Sequence, residues 1–229
     1  MAALYPERWL HHYVARKLRA DQIFRAAEEL LRHSSSPLLD VGSGVGLLPF
    51  YLRERGYAPP ITGLEVDGRK VRRAHRALQI RYRDVTLLEQ DVREEMPAQR
   101  GNVVLFDILH YLAPAEQKAL LCELAARVAP DGMLLIRDCP RDGSARFWIT
   151  YAAELFAQRI SWNLGVPLSF PTRQSIDAAF ASEDFTRDER PMYGGGPFNN
   201  RLFIFRRKAP ASADAETRNA GSEAVPAMG

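Results

Sequence analysis

Short apolar runs alternate with longer amphipathic stretches over most of the chain. Five runs have the length and composition of buried strands, at positions 38–41, 61–66, 85–90, 102–107 and 133–138. Between them, residues 47–55, 69–80 and 115–128 carry apolar side chains at helical spacing. Strands that alternate with helices predict parallel βαβ units with right-handed crossovers.

The pattern changes after the fifth predicted strand. Residues 147–164 form an aromatic-rich helical stretch, and residues 176–180 predict another short helix. Two further strands are predicted at 186–192 and 202–206, and the glycine-rich segment 193–200 joins them. The sequence therefore predicts an α/β three-layer sandwich, with a mostly parallel seven-stranded sheet that ends in an antiparallel hairpin.

The predicted sheet is flanked by two segments of different character. Residues 6–33 predict one amphipathic helix, which the Ser34–Pro37 segment ends, so residues 1–36 form an N-terminal helical segment. Residues 37–208 form the main domain. Residues 209–229 are rich in Ala, Ser, Glu and Pro and predict a disordered tail.

Composition narrows the class of protein. The 229 residues are 46% hydrophobic, enough for one core, and no apolar run is long enough for a membrane helix. The N-terminus lacks the apolar region of a signal peptide, and the two cysteines have no metal-ligand spacing. These features predict a cytoplasmic protein without membrane insertion, disulfides or a metal site. A net charge of +3 does not by itself favour nucleic acid.

The clearest chemical signal is a glycine-rich turn after the first predicted strand, Asp40-x-Gly42-x-Gly44-x-Gly46. Glycines allow a tight turn and let a ligand approach the backbone. Glu65 ends the second strand, where a carboxylate can accept hydrogen bonds from ribose hydroxyls. Asp91 follows the third strand, where a carboxylate can reach an adenine amino group. Together these features predict a nucleoside-containing ligand.

These residues and the segment 106–112, Phe-Asp-Ile-Leu-His-Tyr-Leu, resemble the class I S-adenosylmethionine-dependent methyltransferases. The resemblance covers about residues 37–139 and implies a Rossmann-like fold, with S-adenosylmethionine as cofactor. It implies that the glycine turn holds the methionine part, Glu65 the ribose and Asp91 the adenine. The implied cofactor-binding residues are Asp40, Gly42, Ser43, Gly44, Gly46, Glu65, Val66, Asp91, Val92, Phe106 and Asp107.

The main competing interpretation is a nicotinamide-dependent dehydrogenase. That fingerprint is G-x-G-x-x-G, whereas the glycines here are spaced G-x-G-x-G and an acid lies two residues before the first. S-adenosylmethionine has no pyrophosphate but carries an ammonium group, which Asp40 could stabilise. A catalytically silent cofactor-binding subunit stays open. Three acids at three strand ends are more than a purely structural domain needs.

Methyl transfer needs a base only when the acceptor must lose a proton. His110, just after the fourth strand, is the candidate base, and the alternative is that it merely packs in the loop. His11, His12 and Tyr13 could lie on a helix folded over the pocket or on a solvated helix face.

A second, narrower resemblance concerns the acceptor. Segments 141–147, 170–172 and 197–200 resemble the methyltransferases that accompany bacterial aryl polyene biosynthesis, a branch of secondary metabolism. This resemblance implies a phenolic or aryl head group as acceptor, free or tethered to an acyl carrier protein. The alternative is an O- or N-methyltransferase of an unrelated small metabolite. The sequence lacks the Asn-Pro-Pro-Tyr-type segment of enzymes that methylate nucleic-acid bases, so no nucleic acid partner is predicted.

Two surfaces could serve such an acceptor. A basic cluster on the second predicted helix is either a solvated surface or a docking face for an acidic carrier protein; its members are Arg69, Lys70, Arg72, Arg73, Arg76, Arg81 and Arg83. The helix from Phe147 to Leu164 is predicted to be a lid over an aromatic slot. The predicted acceptor residues are Tyr111, Trp148, Tyr151, Tyr193 and Asn199.

Overall fold

The computed structural model describes residues 1–209 except 83, 95 and 161–166, and for residues 157–160 it describes the backbone alone. Seven helices have the bounds α1 Arg8–Ala20, α2 Ile23–Leu31, α3 Leu47–Glu54, α4 Gly68–Ile80, α5 Pro114–Arg127, α6 Ala145–Ile160 and α7 Arg173–Asp177. The strands are β1 Leu38–Val41, β2 Ile61–Glu65, β3 Val85–Glu89, β4 Asn102–Phe106, β5 Met133–Asp138, β6 Phe185–Pro191 and β7 Arg201–Arg207.

All seven strands form one sheet in the order β3-β2-β1-β4-β5-β7-β6. The first five are parallel, and β7 pairs antiparallel with both β5 and β6. This arrangement confirms the predicted mostly parallel sheet with a terminal hairpin. The order reverses between β1 and β4, which is where open α/β sheets bind their ligands.

The two faces of the sheet are covered by different helices. Because neighbouring strand residues point to opposite faces, Val104 packs with helices α1 to α4, whereas Val103 and Leu105 pack with α5 and α7. These two clusters make the three layers of the predicted sandwich. The outer strand β6 carries exposed charges along its length, as a sheet edge open to solvent requires.

The predicted helix over 6–33 is wrong in one respect, because the segment forms two helices. Asp21 has an extended backbone after α1, and its Oδ1 accepts a hydrogen bond from the amide of Ile23 at 3.1 Å. That short turn starts α2 in a new direction. The short helix predicted at 176–180 lies earlier, because Thr172 and Ser175 form a capping box at its start.

Two predictions fall wholly or partly outside the described residues. The predicted disordered tail begins at 209, and positions 210–229 lie beyond the described part of the chain. The helix predicted to reach Leu164 is described to Ile160. None of the described helices has the length and apolar character that a membrane span requires.

Candidate functional site

The glycine turn between β1 and α3 adopts a backbone that side chains disfavour. Gly42, Gly44 and Gly46 have φ values of 79°, 60° and 82°. A Cβ on Gly42 would lie 2.4 Å from Ile108 Cδ1, whereas a Cβ on Gly44 would meet no atom within 4 Å. The glycine at position 42 is therefore required for packing, while the backbone of Gly44 faces open space that a ligand can approach.

A large cavity of about 860 Å³ lies above the carboxyl ends of the parallel strands. Its size is within the range typical of cofactor sites. Ten of the eleven predicted cofactor-binding residues line this cavity, and the exception is Gly46. Gly46 is not part of this lining and occupies the N-cap position of α3.

Two of the carboxyl groups that line this cavity, those of Asp40 and Glu65, differ in their hydrogen bonding. Asp40 is 3% exposed, and its Oδ2 has no hydrogen-bond partner among the described residues. Burial, and then repulsion by Glu65, raise the pKa of Asp40 to about 7. Glu65 instead accepts hydrogen bonds from the amide of Gly44 at 2.9 Å, the amide of Asp67 at 3.0 Å and Lys70 Nζ at 3.3 Å.

The third strand end presents an ion pair and an apolar surface. Asp91 accepts hydrogen bonds from the backbone amide and the guanidinium of Arg93, and these hold the pKa of Asp91 below its usual value. Val66 is 63% exposed, and Val92 is half-buried beside it in the cavity wall. A flat apolar group could therefore lie against Val66 with a carboxylate at its edge.

Asp107 directly follows β4 and has a φ of 59°, which is rare for a residue with a side chain. Its carboxylate pairs with the buried Arg137 of β5, and the same guanidinium binds Asp21 at 2.6 Å. Burial opposes ionisation of Asp107, but Arg137 and then Lys17 outweigh it and keep the pKa low. This triad, which sequence reasoning missed, ties the end of α1 to the cavity floor.

Helix α1 forms one wall of the large cavity. Trp9, Tyr13 and Lys17 contribute to that wall, at the i, i+4 and i+8 positions of one helix face. His11 instead lies beside the carbonyl of Ala2 at 3.1 Å, and His12 is exposed. Of the three residues predicted to fold over the pocket, the structure brings only Tyr13 to it.

A smaller cavity of about 230 Å³ adjoins the large one, and both are lined by Lys17, Asp107 and Tyr111. His110 lines the small cavity, and its Nδ1 lies 2.9 Å from Asp138 Oδ1. His110 Nε2 has no hydrogen-bond partner among the described residues. The ring is 4% exposed and stacks on Phe170, with centroids 5.1 Å apart.

Burial and the neighbouring carboxylates act in opposite directions on the pKa of His110. Burial lowers the pKa of His110, but the charge and the hydrogen bond of Asp138, together with the charges of Glu154 and Asp107, raise it to about 9. A proton on Nδ1 that is donated to Asp138 leaves Nε2 of the neutral ring as a proton acceptor. Sequence reasoning missed Asp138, although its place at the end of β5, next to β4, could have suggested it.

The predicted acceptor residues occupy different places. Tyr111 lines both cavities, whereas Trp148, Tyr151, Tyr193 and Asn199 line neither. Trp148 is 59% exposed. Tyr193 stacks against Arg146, and the buried amide of Asn199 donates to the carbonyl of Pro140 and to Asp142. Tyr193 thus packs against the start of α6, and Asn199 holds the terminal hairpin to the loop after β5.

The orientation of α6 explains this distribution. Phe147 and Tyr151 face inward and contact Phe170. Thr150 and Glu154 line the small cavity from the same side of the helix. The exposed apolar side chains of the helix are Trp148, Ile149, Leu155 and Phe156, and the ring of Trp148 lies at the border, where it contacts Phe147 and Tyr151. The helix thus presents polar side chains to the small cavity, and sequence reasoning missed both of them.

The basic cluster on α4 is largely neutralised. Six of its members each have an acidic side chain within 4.0 Å, in the pairs Arg69–Asp67, Lys70–Glu65, Arg72–Glu89, Arg73–Glu7, Arg76–Glu7 and Arg81–Glu54. Position 83 lies outside the described residues. These pairs reduce the positive field that an acidic carrier protein would need, so the cluster gives no independent support for such a partner.

The sequence of the sheet and loops that carry this site matches a known family. Residues 38–132, from β1 to the turn before β5, match the family described as methyltransferase domain. These residues therefore form a methyltransferase domain. This match confirms the first resemblance inferred from the sequence, and with it the class of enzyme that uses S-adenosylmethionine. The narrower resemblance to the aryl polyene enzymes stays a prediction. No curated protein matches the sequence.

Solved structures share the fold of this methyltransferase at low sequence identity. The magnesium protoporphyrin IX methyltransferase of Synechocystis has a TM-score of 0.63 and 16% identity, over 86% of this chain and 84% of that one. The N-methyltransferase NodS of Bradyrhizobium japonicum has a TM-score of 0.56 and 16% identity, over 90% of both chains. An O-methyltransferase family protein of Burkholderia thailandensis has a TM-score of 0.68 and 16% identity, over 90% of this chain and 62% of that one.

Proposed function

We propose that this methyltransferase transfers a methyl group to an oxygen of a small aromatic acceptor, with His110 as the general base. The observation that carries the proposal is the buried His110–Asp138 pair in a small cavity that adjoins the large one. A small-molecule acceptor is in keeping with the structural relatives, which include the magnesium protoporphyrin IX enzyme. We propose a free acceptor, since the basic face of α4 is ion-paired.

The large cavity fits S-adenosylmethionine by two independent features. Asp40 Oδ2 is a buried carboxylate oxygen without a partner among the described residues, as the ammonium group of the cofactor would require. The open space beside Gly44 lets a ligand touch the backbone. We infer that Asp40 holds the ammonium group, Glu65 the ribose and Asp91 the adenine, while Val66 packs on the adenine face.

When bound, S-adenosylmethionine supplies an electrophilic methyl group. The protein's own task is then to place the acceptor oxygen and to take its proton. In the small cavity, His110 Nε2 accepts the proton of the acceptor hydroxyl. The Nδ1–H group remains hydrogen-bonded to Asp138, whose negative charge stabilises the imidazolium that forms.

The acceptor class follows from the base and from the walls of the small cavity. A phenol has a pKa of about 10, so a base with a pKa near 9 is well matched to it. Tyr111 and Phe170 supply aromatic surface beside His110, which suits a flat ring. A volume of about 230 Å³ limits the acceptor to a small molecule of about one ring.

The test separates cofactor binding from catalysis. Isothermal titration with S-adenosylmethionine and S-adenosylhomocysteine should show binding to the wild type and to His110→Ala alike. Turnover of a panel of phenols with labelled cofactor should fall by about 10²-fold or more in His110→Ala. The exposed His12→Ala is the matched control and should keep full activity. Failure to bind either cofactor form refutes the cofactor site, and unchanged turnover in His110→Ala refutes the base.

A further inference from the structure

Glu154 is a carboxylate of the small cavity that the proposed mechanism does not use. Glu154 lies on α6 one helical turn after Thr150, and both side chains line the cavity with His110. Glu154 Oε2 accepts a hydrogen bond from the hydroxyl of Tyr111 at 3.1 Å. The ring of Tyr111 in turn lies 4.2 Å from that of His110, measured between centroids. Glu154 is half-buried, and Tyr111 lies between it and the proposed base.

The other charged groups around this cavity have partners of opposite charge. His110 faces Asp138 at 2.9 Å, Asp107 pairs with Arg137, and Lys17 lies 4.0 Å from Asp21. Within the described part of the chain, no cationic side chain lies within 4.0 Å of Glu154.

This arrangement leaves Glu154 with unused capacity to accept hydrogen bonds. An ionised carboxylate can accept about four hydrogen bonds, and Tyr111 supplies one. A carboxylate that a bound acceptor screens from water is costly unless the acceptor supplies donors in place of the lost solvent. An acceptor that fills the cavity therefore gains by presenting an O–H or N–H group to Glu154.

We propose that Glu154 selects acceptors that carry a second hydrogen-bond donor, besides the hydroxyl that is methylated. The substrate class is then a single aromatic ring with two donor substituents, such as a dihydroxybenzene or an aminophenol. The inference rests on the proposed oxygen methylation and assigns the far end of the same acceptor. Tyr111 keeps the carboxylate oriented while the second substituent binds its remaining lone pairs.

The alternative role for Glu154 is purely structural, as a tether that holds α6 to Tyr111. Two variants separate the roles. Glu154→Gln keeps the shape of the side chain and the bond to Tyr111 but removes the charge. Tyr111→Phe removes the tether and keeps the carboxylate. Melting temperatures of both variants report any loss of folding, and Glu154→Asp, which retains the charge on a shorter side chain, is a further check.

The experiment compares kcat/KM for ortho-, meta- and para-dihydroxybenzene with the values for phenol and for the three monomethoxyphenols. We expect the wild type to prefer at least one dihydroxybenzene over phenol and over its methoxy counterpart by about tenfold or more, the scale of a hydrogen bond to a charged group. Glu154→Gln should lower kcat/KM for the preferred dihydroxybenzene by about tenfold more than for phenol, so that the preference is lost, whereas Tyr111→Phe should keep the preference. Titration of the same compounds into enzyme saturated with S-adenosylhomocysteine should show the same ranking in affinity.

Failure of the inference and failure of the proposed function give different results. If the wild type turns over phenols without preferring any dihydroxybenzene, or if Glu154→Gln keeps the preference, the role of Glu154 is overturned while oxygen methylation stands. Equal losses for phenol and the dihydroxybenzenes in Glu154→Gln also overturn it, since they indicate the structural role. If the cofactor binds but no phenolic compound is methylated, the proposed function is overturned, and this inference falls with it.

Discussion

The most informative perturbation is Asp138→Asn, because it removes the charge beside His110 without changing the volume of the side chain. Asp138 is 1% exposed, and its Oδ1 also accepts a hydrogen bond from the amide of Cys139 at 2.8 Å, which an asparagine oxygen can retain. The variant should therefore fold. Burial still lowers the pKa of His110 in the variant, but the main cause that raises it is gone, so the pKa falls well below 9.

The size of the effect follows from the position of that pKa. At pH 7 the wild-type enzyme is two units below a pKa of about 9, so about 1% of it carries the neutral His110 that can accept a proton. Its kcat/KM should rise roughly tenfold per pH unit from pH 7 and level off near pH 9. In Asp138→Asn this rise should move to lower pH. The plateau should fall by about 10²-fold or more, because the base is weaker and less well oriented.

The assay is the initial rate of methyl transfer across this pH range at saturating cofactor, with Asp188→Asn, an exposed carboxylate on β6, as the control. Stability gives a second readout. Because the pKa of His110 is raised on folding, the pair stabilises the protein fully below the unfolded pKa of 6.5, and this contribution is lost as the pH rises through 9. The melting temperature of Asp138→Asn should lack that component. A variant with the wild-type pH profile would show that His110 is not the group whose ionisation limits the reaction.

Three further outcomes test the cofactor cavity. Gly44→Val, at a φ of 60° and facing open space, should abolish cofactor binding in titration while the circular dichroism spectrum stays native; retained affinity would move the cofactor elsewhere. Cofactor affinity should increase as the pH rises towards 7 and level off above it, because Asp40 must ionise to bind an ammonium group; Asp40→Asn should bind weakly at every pH, and a wild-type affinity independent of pH would remove Asp40 from the site. Arg137→Leu leaves Asp107 and Asp21 without their shared cation and should cost about 3–5 kcal/mol of unfolding free energy in urea denaturation, whereas a loss below 1 kcal/mol would make the triad dispensable.

Sequence reasoning succeeded where a local pattern determines the structure. The alternation of buried strands and amphipathic helices gave the sheet, and Gly42, Gly44 and Gly46 marked a turn that only positive φ values can build. Ten of the eleven predicted cofactor residues line one cavity, because they follow parallel strands whose carboxyl ends meet at the same edge. Their individual roles stay predictions.

The pairing of His110 with Asp138 could not be predicted in the same way. It requires that β4 and β5 be neighbours and that Phe106 lie beside Arg137, which sets Asp138 next to the start of the loop that carries His110. No local sequence pattern specifies the order of the strands or the register of β4 against β5.

The orientation of α6 was also undetermined by sequence, because two of its faces have the spacing of a buried surface. One carries Phe147, Thr150, Tyr151 and Glu154, and the other carries Trp148, Ile149, Leu155 and Phe156. By hydrophobicity alone the second face is the better candidate for burial. Trp148 was predicted to meet the acceptor together with Tyr151, because the two share helical spacing and aromatic walls suit a flat acceptor. The ring of Phe170 decides the matter, since Phe147 and Tyr151 pack against it and it stacks in turn on His110.

The carboxyl groups near the carboxyl edge of the sheet differ in which side chains form ion pairs or hydrogen bonds with them. Asp91 and Asp107 pair with Arg93 and Arg137, and Asp138 faces His110. Such acids need no ligand to be stable where they are. Within the described part of the chain Asp138 Oδ2 has no hydrogen-bond partner, but Asp138 has the imidazole of His110 beside it. Asp40 differs, since among the described residues no basic side chain lies within 4.0 Å of its buried carboxyl group and its pKa is high, and Glu154 differs too, since its one donor among the described residues is neutral. Because a carboxylate screened from water must gain donors or take up a proton, these two positions indicate where bound molecules supply N–H or O–H groups. One lies at the glycine turn and the other at the far wall of the small cavity, so Lys17, Asp107 and Tyr111, which line both cavities, lie where methyl donor and acceptor would meet.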